Sequence, residues 1–138
     1  MGASKILPVL TDHSNTNRIS RNRLQAHAVE AAEQCQISYV PDVLDLKTLE
    51  DVLITWPKER KILFCDESLN NFKELKREKA SDPWAILVGP EGGFSEKERK
   101  RILNEKFVRP ISLGPRVLRA DTAAVVALTL WQSSLGDW

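Results

Sequence analysis

Short apolar runs alternate with polar and amphipathic segments along the chain. Residues 62–65 and 84–88 are apolar without a break, which is typical of strands that helices cover on both faces. Residues 108–113 predict a last strand. Residues 6–10 predict a first strand, which Pro8 restricts to a sheet edge or a bulge because proline lacks a backbone N–H.

Helical spacing marks the segments between these runs. One predicted helical face consists of Leu24, Ala28, Ala31 and Cys35. Residues 43–53 hold a second, shorter helical pattern. Ser95 and Glu98 have the spacing of a capping box, which predicts a helix over residues 96–104. Residues 72–80 are charged and helix-permissive, and they predict a solvated surface segment.

The last predicted helix covers residues 122–135 and is closed by Gly136. Its apolar residues cover nearly the whole circumference: Ala123, Ala124, Val125, Val126, Ala127, Leu128, Leu130, Trp131 and Leu135. A helix that is apolar all round is buried on all sides. We therefore expect one side to pack on the sheet and the other on a second subunit, giving a homodimer through this helix. The alternative is an ordinary core helix within one chain.

Strands that alternate with helices predict an α/β fold, with a mostly parallel sheet and helices on both of its faces. The 138 residues are the length of one domain, and no repeat or low-complexity linker divides them.

The charges of the chain nearly cancel. Lys and Arg number 20 and Asp and Glu number 19, for a formal net charge of +1. This balance excludes a basic nucleic-acid-binding arm and an acidic solvating tail. No apolar run approaches the roughly 18–20 residues of a membrane span, and Lys5 interrupts the apolar core that a signal peptide requires. We expect a cytoplasmic protein with no membrane partner.

The cysteines and histidines form no metal-ligand pattern. Cys35 and Cys65 both lie in apolar segments, which predicts two buried free thiols in a reducing compartment. His13 and His27 do not have the spacing of zinc ligands. The sequence therefore predicts no metal site.

A glycine-rich loop at residues 89–94 follows a predicted strand and precedes a predicted helix. Ligands bind at such positions in open α/β sheets, where glycine lets the backbone come close to them. The N–H groups at the helix start can hold a carboxylate or a ribose oxygen. The loop lacks the Lys-Ser or Lys-Thr pair of a P-loop and does not match G-x-G-x-x-G. A glycine-rich turn without a ligand is the alternative.

A second loop, at residues 113–121, also joins a predicted strand to a predicted helix. Two such loops at one sheet edge can wall a single pocket. Arg116 and Arg119 bring two permanent positive charges to this loop, and Arg119 lies just before a helix N-terminus, which attracts anions. The alternative for Arg119 is a surface ion pair with Asp121 or a glutamate.

Together the two loops resemble the RsmE family of the SPOUT superfamily. Residues 87–98 read LVGPEGGFSEKE and residues 113–124 read LGPRVLRADTAA. Residues 5–14 and 22–35 also resemble this family, so that the match covers essentially the whole chain. RsmE proteins are bacterial methyltransferases that modify N3 of a uridine in 16S ribosomal RNA.

The resemblance implies several properties that residue patterns alone do not. It implies S-adenosyl-L-methionine as cofactor, 16S ribosomal RNA or the small ribosomal subunit as partner, and a homodimer. It also implies a SPOUT-type sheet with a C-terminal deep trefoil knot, although knots are rare. Family members normally carry a PUA-like RNA-binding domain before this region. Residues 1–138 are therefore expected to form a SPOUT methyltransferase domain that is incomplete at its N-terminus.

The resemblance also implies site residues. The expected cofactor-binding residues are Leu87, Gly89, Glu91, Gly92, Gly93, Leu113, Gly114, Leu118 and Thr122. We expect Arg119 to be catalytic by stabilising or orienting the uridine anion, because an arginine side chain stays protonated and is a poor general base. Arg116 is expected to contact RNA phosphate, with a part in the chemistry as the alternative. Glu91 has two further alternatives, a base or a helix cap, and Asp66 and Glu67 are weaker candidates for the pocket wall.

Three other functions stay open at this point. A SPOUT methyltransferase that acts on a ribose 2′-hydroxyl would share the fold and the cofactor. A truncated domain would fold and dimerise without turnover. Generic nucleotide binding at the glycine loop lacks the lysine that holds phosphate.

Overall fold

The computed structural model describes residues 2–69 and 82–138, so that the predicted surface segment 72–80 lies outside the described residues. The elements in chain order are β1 (Lys5–Ile6), β2 (Val9–Leu10), α1 (Arg21–Gln34), β3 (Asp42–Val43), β4 (Lys47–Thr48), α2 (Leu49–Ile54), β5 (Lys61–Cys65), β6 (Trp84–Leu87), α3 (Glu96–Leu103), β7 (Val108–Ile111) and α4 (Ala120–Leu135).

The main sheet is parallel and has the order β6-β5-β7. In the middle of β5, Leu63 is paired with Ile86 of β6 and with Arg109 of β7. Two further parallel pairs, β1 with β3 and β2 with β4, come from the first half of the chain. Because β5, β6 and β7 are parallel, their carboxyl ends lie at one edge of the sheet, and the predicted α/β fold with a parallel sheet is confirmed.

Helices pack on both faces of β5 because successive side chains of a strand point to opposite faces. On one face, Ile62 and Phe64 belong to a cluster with Leu53 of α2 and Ile102 of α3. On the other face, Leu63 packs with Ile111 of β7 and Leu135 of α4. A strand buried on both sides explains the unbroken apolar run of β5.

The first half of the chain departs from the predictions at two places. The predicted strand 6–10 is divided at Pro8 into β1 and β2, which pair with different strands. The helix predicted over 43–53 is wrong in its first part, where the chain forms β3 and β4 instead. Thr48 ends β4 and caps α2 by accepting a hydrogen bond from the Asp51 N–H, so that the helix starts only at Leu49.

The expectation of two buried thiols is wrong for Cys35. In α1 the buried residues are Ala28 and Ala32, not Ala31, and Cys35 is the exposed C-cap of the helix. Cys65 lies half-buried at the end of β5, where burial raises the pKa of its thiol to about 12. The Cys65 thiol is therefore neutral at physiological pH, and only Cys35 has the exposure that a reactive thiol needs.

The outer side of α4 is exposed to solvent. Ala123, Ala127 and Leu135 are buried, but Thr122, Val125, Thr129 and Ser133 form an exposed line. The prediction that α4 is buried on all sides is therefore wrong for the single chain, because the other described elements cover only the side of this helix that faces the sheet. Within the described residues, α4 and the other helices are too short or too polar to cross a membrane.

Replacement of the central leucine of β5 is expected to be costly. Leu63 has a relative exposure of 0%, and Leu63→Ala leaves a cavity between the sheet and α4. We expect the free energy of unfolding in urea to fall by about 2–5 kcal/mol. Leu103→Ala, at an exposed position at the end of α3, is the matched control and should cost less than about 1 kcal/mol. Equal losses for the two variants would contradict this core assignment.

Candidate functional site

A cleft opens at the carboxyl ends of β5, β6 and β7, where three loops meet. It contains about 820 Å³ of empty space when its open mouth is included. Its lining consists of Phe64, Cys65, Asp66, Glu67, Ser68, Leu69, Val88, Gly89, Pro90, Gly93, Phe94, Arg99, Leu113, Gly114, Pro115, Arg116, Val117, Leu118, Ala120 and Ala123. The two predicted loops thus wall one cleft, and the loop after β5 supplies a third side.

The glycine loop after β6 is a tight turn. The Gly93 N–H donates to the Pro90 carbonyl at 2.9 Å, and Gly93 has φ of +66°, which is a left-handed conformation that favours glycine. The Phe94 ring folds back so closely that a Cβ on Gly89 would lie 2.8 Å from it. Phe94 also meets Phe64 of β5 edge to face, with ring centroids 5.3 Å apart. The core therefore holds one end of the turn.

The loop after β7 turns at Gly114, which has φ of +118°. Apart from Gly114 and its two chain neighbours, no atom of residues 2–69 and 82–138 lies within 4 Å of the position that a Cβ on Gly114 would take, so that these residues leave open space beside its backbone. The buried Ser112 hydroxyl accepts a hydrogen bond from the Gly114 N–H at 3.2 Å. This bond shapes the loop while its glycine stays open to the cleft.

A buried ion pair joins the third loop to α3. The Asp66 side chain has 2% exposure, and its Oδ2 lies 2.9 Å from Arg99 Nη2. Arg99 Nε also donates to both carboxylate oxygens, at 3.1 and 3.0 Å, while the Ser68 N–H donates to Oδ1. The hydrogen bond to Asp66 raises the pKa of Arg99, which keeps the guanidinium charged.

Sequence reasoning placed Asp66 near the pocket but missed Arg99. Nothing in the charged stretch of α3 distinguishes Arg99 from its neighbours Lys100 and Arg101. The pair joins positions 33 residues apart, and only the packing of α3 against β5 brings them together.

Six of the residues predicted to bind cofactor or RNA line the cleft: Gly89, Gly93, Leu113, Gly114, Arg116 and Leu118. The weaker wall candidates Asp66 and Glu67 line it as well. Four predicted cofactor residues lie outside the lining. Leu87 packs against the core beside Phe64, while Glu91, Gly92 and Thr122 are exposed. The roles assigned to these residues stay predictions.

Ser95 and Glu98 form the predicted capping box at the start of α3. Ser95 Oγ accepts from the Glu98 N–H, and Glu98 accepts from the Ser95 N–H. This box confirms the predicted helix start. Since the cap comes from Ser95 and Glu98, Glu91 is not the helix cap.

Arg119 lies at the rim of the cleft and not in its lining. Its side chain is 80% exposed, and its Nε lies 3.8 Å from Asp121 Oδ1, which is the surface ion pair considered as the alternative. The hydrogen bond from the Thr122 N–H, followed by the charge of Arg119, lowers the pKa of Asp121. Such an exposed pair contributes little to stability, so that an anionic ligand can compete for Arg119.

Comparison with known proteins identifies the family of the chain. Residues 1–132 match the family model described as an RNA methyltransferase domain. The chain belongs to this family of RNA methyltransferase domains. The resemblance to the RsmE proteins within it is likewise confirmed.

Relatives of this RNA methyltransferase domain come from several bacteria. Ribosomal RNA small subunit methyltransferase E of Buchnera aphidicola subsp. Schizaphis graminum is 32% identical over 99% of this chain and 57% of the relative. The protein of the same name from Rickettsia conorii is 30% identical over 93% of this chain and 53% of the relative. The chain thus spans little more than half the length of these curated relatives.

A solved structure agrees with the fold of this RNA methyltransferase domain. It is that of a ribosomal RNA small subunit methyltransferase E from Neisseria gonorrhoeae bound to S-adenosyl methionine. Its TM-score is 0.83 at 27% identity, over 99% of this chain and 57% of the other.

Across residues 2–69 and 82–138, no group of three or more His, Cys, Asp and Glu side chains is placed to hold a metal ion.

Removal of the Arg99 guanidinium is expected to destabilise the domain. Arg99→Leu leaves the Asp66 carboxylate buried without its ionic partner, and we expect a loss of about 3 kcal/mol in urea unfolding. The matched control is Arg101→Leu on the same helix, whose pairs with Glu50 and Glu105 are more exposed. This control should cost less than about 1 kcal/mol. Equal effects would show that the Asp66–Arg99 pair is not buried in solution.

Proposed function

We propose that this chain is the catalytic domain of an S-adenosylmethionine-dependent methyltransferase that acts on N3 of a uridine in 16S ribosomal RNA. The observation that carries the proposal is the single cleft between the loops at 88–94 and 113–118, the two segments with the strongest family resemblance. The relatives named ribosomal RNA small subunit methyltransferase E support a small-subunit target. The resemblance to RsmE proteins supports N3 of uridine over the ribose 2′-hydroxyl.

The chemistry of the cleft suits S-adenosylmethionine. Leu113 and Leu118 offer apolar contact for an adenine ring, and the open space beside Gly114 lets a ligand reach the backbone amide and carbonyl groups. Glu67 places a carboxylate against Gly93 in the lining of the cleft, where it can attract a cation or accept from ribose hydroxyls. The cleft therefore offers apolar contacts for the adenine ring, and a carboxylate that can accept from the ribose hydroxyls or attract the sulfonium cation.

Arg119 is the proposed catalytic residue. Bound S-adenosylmethionine supplies an activated methyl group on a sulfonium sulfur. Neutral uridine N3 holds a proton and is a poor nucleophile, so that the domain has to favour its anion. The N3 proton is lost to solvent, and a guanidinium at the N-terminus of α4 stabilises the anion that remains, since the first N–H groups of the helix add to its positive potential. Arg116, exposed beside it, is proposed to contact RNA phosphate.

The proposal includes a homodimer through α4. Val125, on the exposed side of α4, has a relative exposure of 52%, and Val126, Leu128 and Leu130 are half-buried in the single chain. A second copy on this helix would remove these apolar groups from water. The resemblance to SPOUT proteins supports both the dimer and a C-terminal trefoil knot, and a ribosomal RNA substrate supports a cytoplasmic location.

A charge on the outer side of α4 is expected to separate the dimer. Val125→Glu places a carboxylate in the proposed interface, which should convert the particle from the mass of two chains to that of one in light scattering. Ile54→Glu on α2 is the matched control, because Ile54 is also apolar and exposed, at 67%. It should leave the dimer intact. A wild-type chain that is monomeric throughout would contradict the dimer.

Replacement of Arg119 is expected to remove turnover and leave cofactor binding in place. Small ribosomal subunits that lack the modification are incubated with S-adenosylmethionine, and the product nucleosides are analysed. We expect 3-methyluridine from the wild type and a turnover about 10²–10³-fold lower in Arg119→Ala, with part of it restored in Arg119→Lys. Binding of S-adenosylhomocysteine should change little, because Arg119 does not line the cleft.

The same experiment separates the alternatives. Arg23→Ala, which removes an exposed arginine from α1, is the control and should retain most of the turnover. A 2′-O-methylated nucleoside would identify the ribose methyltransferase. Saturable binding of S-adenosylhomocysteine without transfer to RNA would identify a domain that does not turn over by itself.

A further inference from the structure

The loop after β2 docks on the glycine turn, although no residue of that loop lines the cleft. Nδ1 of His13 lies 2.8 Å from the Gly92 carbonyl oxygen and 3.2 Å from that of Gly93. Since both partners are acceptors, the ring nitrogen that faces them carries the proton and donates. This contact joins positions 79 residues apart.

The fit between the two segments is close. A Cβ on Gly92 would lie 3.1 Å from the Cβ of His13, so that only glycine allows this approach without a shift. Next to it, Asp12 Oδ2 accepts from the Ser95 hydroxyl at 2.6 Å, and the Asp12 N–H donates to Glu98 at 2.9 Å. The start of α3 is therefore tied to the same loop as the glycine turn.

His13 is presented from a turn with its own hydrogen bonds. The Ser14 N–H donates to the Thr11 carbonyl at 3.1 Å, and the Thr11 N–H donates to Ser14 Oγ at 3.0 Å. Directly before this turn, β2 is paired with β4. The donor on His13 thus comes from a folded support and not from a free loop.

The glycine turn that His13 contacts also lines the cleft. Gly93 lines the cleft at φ of +66°, with the Glu67 carboxylate against its Cα. A segment with two adjacent glycines has access to many backbone conformations when it is not held. The His13 bonds hold the carbonyls of Gly92 and Gly93, and they therefore restrict the backbone of a segment whose second glycine lines the cleft.

We propose that His13 is a positioning residue for the cofactor, which acts through the carbonyls of Gly92 and Gly93 to hold the glycine turn in its binding conformation. The inference rests on the proposed function, since it takes S-adenosylmethionine as the ligand of the cleft. Without the imidazole, the turn has to be ordered when the cofactor binds, and this ordering lowers the affinity.

The test is a calorimetric titration of the full chain and its variants with S-adenosylhomocysteine. We expect His13→Ala to bind about fivefold more weakly, which is the loss of about one hydrogen bond. His13→Asn should return to within about twofold of the wild type, because its amide nitrogen takes the place of Nδ1 as donor. His27→Ala, at the only other histidine and exposed on α1, should bind like the wild type.

The fitted stoichiometry separates positioning from folding. Positioning raises the dissociation constant of His13→Ala and leaves the stoichiometry unchanged. A fall in stoichiometry with an unchanged dissociation constant means that His13 serves only stability, and this overturns the proposal. An unchanged His13→Ala, or a His13→Asn as weak as His13→Ala, overturns it too and leaves the proposed function standing. A wild-type chain that binds no S-adenosylhomocysteine overturns both.

Discussion

Burial of β5 on both of its faces is the constraint on which the rest of the structure depends. Leu63 and Phe64 point to opposite sides of the sheet and are both almost completely buried. Both faces therefore need a cover, which α2 and α3 supply on one side and α4 on the other. The parallel neighbours β6 and β7 then end at the same edge as β5, and the three loops that leave this edge have to meet. The position of the cleft follows from the core.

The cleft joins a rigid support to open backbone. Phe94 anchors the glycine turn to Phe64, and Ser112 shapes the loop around Gly114. Of the cleft glycines, Gly114 has open space beside its backbone among the described residues, while the Phe94 ring packs against Gly89 and the Glu67 carboxylate against Gly93. Walls made of backbone and apolar groups can bind a small ligand without a large net charge on the protein. The formal net charge of the chain is accordingly only +1. Asp66 and Arg99 neutralise one another at the base of the cleft, and the Cys65 thiol there is neutral because burial raises its pKa to about 12.

Two exposed positive charges of the site lie on the loop before α4. Arg116 and Arg119 are exposed on the loop before α4, where an RNA substrate can reach them. The base of the cleft and its rim thus have different tasks in the proposed function. The base holds a small ligand through its shape and its backbone groups, and the rim contacts a polyanion through its positive charge.

The sequence by itself determined what depends on neighbours along the chain. The apolar runs of β5 and β6, the Ser95–Glu98 capping box and the two glycine loops all follow from local pattern, because a strand, a cap or a turn is specified within a few residues. The family resemblance carried by residues 87–98 and 113–124 is of the same kind.

Only the tertiary structure decided the contacts between distant segments. Arg99 meets Asp66 across 33 positions and His13 meets Gly92 across 79, and no local pattern indicates either partner. The tertiary structure also decided that Cys35 is exposed, because an apolar segment does not show which of its residues faces the sheet and which ends the helix. The physical reason is the same in each case: these properties belong to the packing of elements against one another, which depends on the whole chain.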